Sequence, residues 1–476
     1  MFSSRWAKQT LTEFLLCIYP LLTEGTIQLR KQEMNMSKIA VVGAGHAGLV
    51  TAACFAELGH QVSCLDVNSR KIEALQQGTI PFFEPGLEEM VRHNLATSRL
   101  SFTTSYREGL GGKGSIFIAV NTPSSPGGRT DLRYLYAAAK EVARAMDEGS
   151  IVVIKSTVPV GTTERVGGLL AAERGGVVPM VFNPEFLSEG TAIEEFMKPA
   201  RIIIGSGDLS AAEAIAGLHQ GLESPIVICS LRTAELVKYT HNAFLATRIS
   251  FINEIASICE GIGADVRVVS RALGLDSSLG QAYLKAGLGW GGSCLPKDMR
   301  SLIYMAKTNK APCQVLKAVV KTNNRQRATV VEKLHSLLGS LEGRVVGLLG
   351  LAFKPNTEDI REAPSLEVIR LLEAAGSLIK AYDPKAMSAC AQLYPRLTYC
   401  SDPYELAQGC DALLLVTEWE EFRHLDMPRV RSLMKQPIFV DGRNLFEPEE
   451  MAQWGFIYRG IGLGFPALPV AMGVRA

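Results

Sequence analysis

The stretch Ile39-Ala40-Val41-Val42-Gly43-Ala44-Gly45-His46-Ala47-Gly48 constrains the fold of this chain more than any other. Four consecutive apolar residues with no polar alternation read as a strand buried on both faces. The G-x-G-x-x-G that follows opens a helix-like segment from Gly48 to Leu58. Gln61 to Leu65 reads as a second strand, and Asp66 closes it 23 residues after Gly43. That is the spacing of a βαβ dinucleotide fingerprint. Gly43 permits the tight turn. Gly45 lets the backbone approach a pyrophosphate at the positive end of the helix, and Gly48 allows close helix–strand packing. Asp66 would accept hydrogen bonds from a ribose 2′-hydroxyl and repel a 2′-phosphate, so NAD is favoured over NADP.

The same alternation continues. Apolar runs at 115–120, 151–154, 177–182 and 201–205 are separated by helical patterns, which predicts a parallel, doubly wound sheet. Thr233 to Glu260 then contains no Pro or Gly and reads as one helix of roughly 40 Å at 1.5 Å per residue. After a Gly-rich segment at 287–292 and a helical stretch at about 311–338, alternation restarts. Strand-like runs lie at 345–350, 378–382, 412–416 and 437–440. The expected class is α/β, with two Rossmann-like doubly wound domains joined by the long central helix. The expected boundaries are 37–230, 231–338 and 339–476. Residues 1–36 carry Arg5, Lys8 and a short apolar run at 14–22, and read as an upstream extension before Met34 or Met36.

Composition excludes several functions. Lys+Arg is 49 and Asp+Glu 48, so no basic excess points to nucleic acid or an anionic membrane. No run reaches the ~18 apolar residues of a spanning helix, so no membrane partner is expected. The ten cysteines include no CxxC pair and mostly sit in apolar runs, which suits reduced thiols in a cytoplasmic protein. No Cys/His cluster has metal-ligand spacing, so no metal is expected.

One cysteine differs in setting. Gly287-Leu288-Gly289-Trp290-Gly291-Gly292-Ser293-Cys294-Leu295-Pro296-Lys297-Asp298 places four glycines where backbone N–H groups could meet an anion or sugar. Cys294 then sits beside Lys297, whose ammonium could favour the nucleophilic thiolate.

This segment resembles that of the UDP-glucose/GDP-mannose dehydrogenase family, and the likeness runs from Ser37 to Gly464. Asn121-Thr122-Pro123, Ser156 to Thr162, Asn183 to Gly190, Glu235 to Asn242, Phe353-Lys354, Asp359 to Glu362 and Asp441 to Asn444 match further family motifs. The resemblance implies oxidation of a nucleotide-sugar C6 alcohol to a carboxylate with two NAD+, through a thiohemiacetal and a thioester on Cys294. It places Asp298, Thr157 and Glu185 around the hydrolytic water, with Lys238 and Asn242 supporting oxyanions. Four residues apart, those last two share a helix face. It implies cofactor contacts from Lys71, Thr122, Pro123, Thr157, Glu189, Lys297 and Arg361. Sugar-nucleotide contacts are implied for Glu185, Phe186, Leu187, Lys238, Asn242, Tyr283, Leu284, Gly287, Gly289, Gly291, Phe353, Lys354 and Arg443. The long helix would form a helical dimerisation domain, giving a homodimer or higher oligomer, and the last domain would bind the UDP-sugar.

The Gly-Trp-Gly-Gly-Ser-Cys run resembles the UDP-glucose branch, with a UDP-N-acetylhexosamine or UDP-galactose variant behind it. Two departures stand out. Ser278 occupies the place where many UDP-glucose enzymes carry an arginine, which predicts altered sugar-hydroxyl recognition or a substitute cation nearby. His46-Ala47 stands where the family often has Tyr-Val. Two other classes compete: a two-electron 3-hydroxyacid-type dehydrogenase, which needs no cysteine, and a non-catalytic NAD- or UDP-sugar-binding protein.

Overall fold

The computed structural model describes residues 36–464. The expected extension, save Met36, lies outside them. The first sheet contains β1 (Lys38–Val42), β2 (Gln61–Leu65), β3 (Leu100–Thr103), β4 (Ser115–Ile118), β5 (Ile151–Ile154), β6 (Met180–Phe182), β7 (Ile202–Ser206) and β8 (Ile226–Cys229). Their spatial order is β3-β2-β1-β4-β5-β6-β7-β8. Strand order reverses between β1 and β4, and such a switch point opens a crevice at the C-terminal strand ends.

One pairing departs from the expected parallel sheet. β6 and β7 run antiparallel, matching only Val181 with Ser206 and Phe182 with Gly205. The link between them holds a single six-residue helix, Ala192–Met197. At ~1.5 Å per residue that helix is too short to carry the chain back along the sheet for a parallel return. β3 and β8 were not foreseen. Each is four residues long, and in β3 apolar and polar positions alternate (Leu100, Ser101, Phe102, Thr103), so no continuous apolar run marks it.

The long helix spans Leu231–Ile262, a little more than its sequence pattern showed. The Ser230 hydroxyl accepts from the Thr233 N–H at its start, and Gly263 adopts φ 75° at its end. Both devices satisfy groups a helix terminus leaves open. Ala234, near its start, packs into the core of the first sheet. Ile252, Ala256 and Cys259 join the core of the second. The helix is therefore a shared structural member rather than a linker. A further helix, Leu295–Thr308, begins directly after Cys294.

The second sheet holds β9 (Val345–Leu349), β10 (Leu378–Tyr382), β11 (Thr398–Tyr399), β12 (Ala412–Leu415), β13 (Ile438–Asp441) and β14 (Ile457–Arg459). The order is β11-β10-β9-β12-β13-β14, parallel throughout. It repeats one device of the first. Gly43 (φ 107°) follows β1 and Gly350 (φ 94°) follows β9, and an aspartate after the next strand holds each turn. The repeat is chemically unequal. Asp383 is fully buried and accepts from the N–H groups of Leu351, Ala352, Lys385 and Ala386 and from the Trp419 indole. That leaves it nothing to offer a ribose.

Candidate active site

The dinucleotide turn is tightly built. A Cβ on Gly43 would stand 2.5 Å from the Ala119 carbonyl oxygen, and one on Gly48 would overlap the Gly43 carbonyl. Asp66 Oδ2 accepts from the Ala44 N–H at 3.0 Å, and Oδ1 accepts from the Asn68 N–H at 3.0 Å. Lys71 Nζ lies 2.9 Å from Asp66 Oδ2. Desolvation works against the Asp66 charge, but Lys71 and the two N–H groups outweigh it and hold its pKa below the usual range. Oδ1 keeps capacity for a ribose hydroxyl, so these residues fit NAD. Gly45 lies at the N-terminus of the helix His46–Glu57, where N–H groups and helix dipole suit a pyrophosphate.

Thr122 follows β4, Thr157 follows β5 and Glu185 follows β6, all at the open edge. The Thr122 hydroxyl donates to the Thr157 carbonyl at 2.8 Å, and the Pro123 carbonyl accepts from the Asp131 N–H at 2.7 Å. Glu235, fully buried on the long helix, pins the neighbouring loop. It accepts from the Gly161 N–H, the Thr163 N–H and the Thr163 hydroxyl at 2.5, 2.8 and 2.7 Å.

The chemical residues converge along the same helix. Lys238 Nζ lies 3.1 Å from Glu185 Oε1, with the side chains 4% and 11% exposed. One turn on, Asn242 Nδ2 donates to Asp298 Oδ2 at 2.6 Å. Lys297 Nζ meets Asp298 Oδ1 at 2.5 Å. Desolvation disfavours the Lys238 charge, yet Glu185, Cys294 and Asp298 together leave its pKa raised. Glu185 is held anionic by Lys238 and the Leu187 N–H against the same desolvation.

One expectation changes here. Lys297 is committed to Asp298, so it does not act chiefly on the thiol. The Cys294 pKa is raised above its ordinary value by desolvation and then Glu185, with Lys238 the main opposing cation. Two N–H groups of the Gly-rich segment are taken up by helix asparagines. Gly287 N–H donates to Asn253 Oδ1 and Trp290 N–H to Asn323 Oδ1, each at 2.8 Å. Its glycines also allow close approach. A Cβ on Gly291 would strike the Glu362 carbonyl, one on Gly289 the Asn323 side chain, and one on Gly292 the Phe353 ring at 2.8 Å.

The second domain closes over this segment. Arg443 donates to the carbonyls of Val416 (2.7 Å), Phe353 (3.2 Å) and Gly289 (3.4 Å). Lys354 Nζ lies 5.7 Å from the Phe353 ring centre, and desolvation lowers its pKa. Glu189 joins the halves: its carboxylate accepts from Ser293 (3.2 Å), Thr357 (3.0 Å) and Arg361 (3.3 Å). Tyr283 takes a positive φ of 60°, and Leu284 is buried with its carbonyl accepting from Ser270. Phe186 stacks under the Arg201 guanidinium at 3.9 Å.

Both departures acquire partners. His46 Nε2 lies 2.7 Å from Glu84 Oε2, and Glu84 also accepts from the Gly190 and Ala192 N–H groups. This ties the dinucleotide helix to the end of the loop that bears Glu185. Ser278 turns back on Asp276, its hydroxyl donating at 2.6 Å. Two residues on, the Gly280 carbonyl accepts from Arg248 Nη2 at 2.5 Å. Sequence reasoning gave no role to Lys155, Asn183, Glu84, Asn253 or Asn323. For Lys155 a signal existed, a lysine directly continuing the apolar run Ile151–Ile154.

A dinucleotide turn at a switch point, with a buried lysine, paired acids and an accessible cysteine at the same edge, defines a nicotinamide-dependent dehydrogenase. Residues 37–223, 232–325 and 347–448 match, in turn, the NAD binding, central and UDP binding domains of the UDP-glucose/GDP-mannose dehydrogenase family. The chain belongs to that family, and its cofactor is NAD. It is 46% identical over 430 residues to a UDP-glucose 6-dehydrogenase of Bacillus subtilis, covering 90% of this chain and 93% of that one. A UDP-glucose 6-dehydrogenase of Rhizobium meliloti is 45% identical over 433 residues, covering 89% and 99%. Among solved structures, a UDP-glucose dehydrogenase from Pyrobaculum islandicum superposes with a TM-score of 0.85 at 40% identity, covering 91% and 99%. A UDP-D-ManNAc dehydrogenase from Pyrococcus horikoshii gives 0.80 at 28%, covering 89% and 99%.

Proposed function

We propose that this chain oxidises UDP-glucose to UDP-glucuronate, with two NAD+ consumed per turnover. The convergence of Cys294, Lys238, Glu185, Asn242 and Asp298 on one edge carries the reading. The identities to UDP-glucose enzymes and the Trp290 run support the sugar. NAD, held by Gly43, Gly45, Gly48 and Asp66, supplies the hydride acceptor.

The residues divide the work. Lys238 and Asn242 stabilise negative charge on the C6 oxygen. The Cys294 sulfur adds to the C6 aldehyde carbon, and its thiol proton leaves to water. The thiohemiacetal holds the substrate between oxidations. After the second oxidation, water attacks the thioester carbon and the C–S bond breaks, releasing carboxylate and thiol. Asp298 and Glu185 orient that water, with Thr157 beside them. Lys71, Thr122, Pro123, Thr157, Glu189, Lys297 and Arg361 are assigned to the cofactor side. Lys354 and Arg443 suit a diphosphate, as cations do. Counting NADH against a panel of UDP-sugars tests this. Two NADH per UDP-glucose is the expected result. One per substrate would indicate a two-electron dehydrogenase, and none would indicate a binding protein. A preference for a UDP-N-acetylhexosamine or UDP-galactose would reassign the sugar, with Ser278 and Arg248 the place to look.

The boundaries 37–230, 231–338 and 339–476 are taken as the domains. The working form is assigned as a homodimer. Phe244, Phe251 and Ile258 recur every seven residues on the long helix and are 60%, 51% and 52% exposed. A seven-residue apolar repeat suits a helix of the same pitch from a second copy. Sedimentation should find a dimer, and Phe251→Glu should shift it toward monomer. A wild-type monomer at micromolar concentration would overturn the assignment. No described helix is long and apolar enough to cross a membrane. The nine described cysteines are all unpaired, which supports a cytoplasmic location.

A further inference from the structure

Lys155 is the most unusual charged residue outside the groups assigned above. It directly follows β5, is 4% exposed, and among the described residues has one hydrogen-bond acceptor, Asn183 Oδ1 at 2.9 Å. A buried ammonium has three donors and a large desolvation cost, so a lone amide oxygen is a poor reason to keep it there. No carboxylate lies within 4.0 Å of it among the described residues. Beyond that distance two charges act on it, Glu185 in its favour and Lys238 against it, and its other neighbours are apolar or neutral. The Phe196 ring lies 5.9 Å away, and Cys54 and His219 face it from the helix His46–Glu57 and from the turn after Leu209–Gly217.

The backbone explains what it serves. Ile154 and Phe182 are register partners at the ends of β5 and β6, so Lys155 and Asn183 emerge side by side. Asn183 Nδ2 then donates to the Ile203 carbonyl of β7 at 2.9 Å. Lys155 and Asn183 thus brace the point where the sheet changes direction, and Glu185 leaves it two residues later. Glu185 is the anion whose field most supports the Lys155 charge.

We propose that Lys155 is a positioning residue, a standing countercharge that keeps Glu185 anionic while Lys238 turns its own charge to the substrate oxygen. Lys238 has two claimants, Glu185 at 3.1 Å and any oxyanion formed beside Cys294. Without a second cation, stabilising the oxyanion would strand a desolvated carboxylate. The groups facing Glu185 are Lys238 and His241 from the long helix, Lys155 from β5 and Cys294 from the Cys loop. Burial and the Arg201 and Lys238 cations press His241 down to about 4, so it adds no charge there at neutral pH. Burial lowers the Lys155 pKa to about 8, with Glu185 the main opposing influence, so at neutral pH it carries a charge and, unlike Lys238, has no oxyanion to serve.

The proposal deepens the reading of the site and rests on Glu185 acting there. Lys155→Gln keeps a donor for Asn183 and removes the charge. It should lower kcat at neutral pH about tenfold and move the acid limb of the kcat profile up by about one pH unit, the scale of a nearby charge, with NAD affinity unchanged. Lys155→Met, apolar and of similar length, gives the same readout should the glutamine variant fail to fold. A merely structural role predicts a scaled profile with an unmoved limb, and that result overturns the proposal. Glu185→Gln is the control. If it retains wild-type turnover, the site reading itself fails. If it collapses turnover while both Lys155 variants keep the wild-type limb, only the proposal fails.

Discussion

Cys294→Ser is expected to lower NADH production from UDP-glucose by at least about a thousandfold, with NAD affinity unchanged. The cysteine is exposed and forms the N-cap position of the helix Leu295–Thr308, so serine fits without strain. What changes is nucleophilicity. A serine hydroxyl needs a strong base to attack a carbonyl, and the nearby Asp298 is already engaged by Lys297 and Asn242. At most a slow first oxidation would survive. The cofactor residues Gly43, Ala44 and Asp66 belong to a different element, which is why binding should persist. Steady-state NADH formation and an NAD titration by protein fluorescence check both halves. Wild-type turnover in this variant would remove the covalent route. The raised thiol pKa adds a second signature: alkylation of Cys294 by iodoacetamide should accelerate as pH rises above the ordinary thiol range.

Lys238→Met should cost about 10²–10³ in kcat, the range found when one oxyanion donor is removed. The effect has three parts, all visible in the packing. The developing oxygen anion loses its cation. Glu185 loses the partner at 3.1 Å that offsets its desolvation, so its pKa rises. Cys294 loses the main cation opposing its own upward shift, so the thiolate becomes scarcer. The kcat loss should therefore be steepest at low pH, where Glu185 begins to protonate, and partly recovered in alkaline solution. Lys238→Arg should restore little, because the site is closed around a compact ammonium and a planar guanidinium needs a different cradle. The pH–kcat profile of both variants is the measurement. A uniform loss at all pH values would mean that Lys238 acts on the oxyanion alone and not through Glu185 or Cys294.

Local pattern made much of this legible. The apolar run before Gly43 and the placement of Asp66 were enough to locate the dinucleotide turn. The long helix announced itself by the absence of Pro and Gly over 233–260, and the structure adds only its two capped ends. Cys294 stood out because glycines and charges surround it. The residues that escaped notice carry no local signal. Asn253 and Asn323 read as ordinary helix asparagines, yet each holds a backbone N–H of the Cys segment across the domain. Glu84 lies in a Pro-flanked loop, and its partners His46 and Gly190 are 38 and 106 residues away.

The sequence by itself determined most of the strands, the long helix, the cofactor turn and the identity of the residues able to do chemistry, because periodicity and side-chain type are local properties. Tertiary structure alone decided which charges meet. The sequence sets Lys297 beside the Cys294 thiol, but the fold binds it to the adjacent Asp298 and leaves the thiol to Lys238. The glycines at 287–292 proved to be sites of close domain approach, since what a Cβ would strike depends on the packed fold. The reversal at β6 and β7 followed from a helix too short to cross the sheet. Electrostatic pairing depends on distance and desolvation together, and neither exists until the chain has folded.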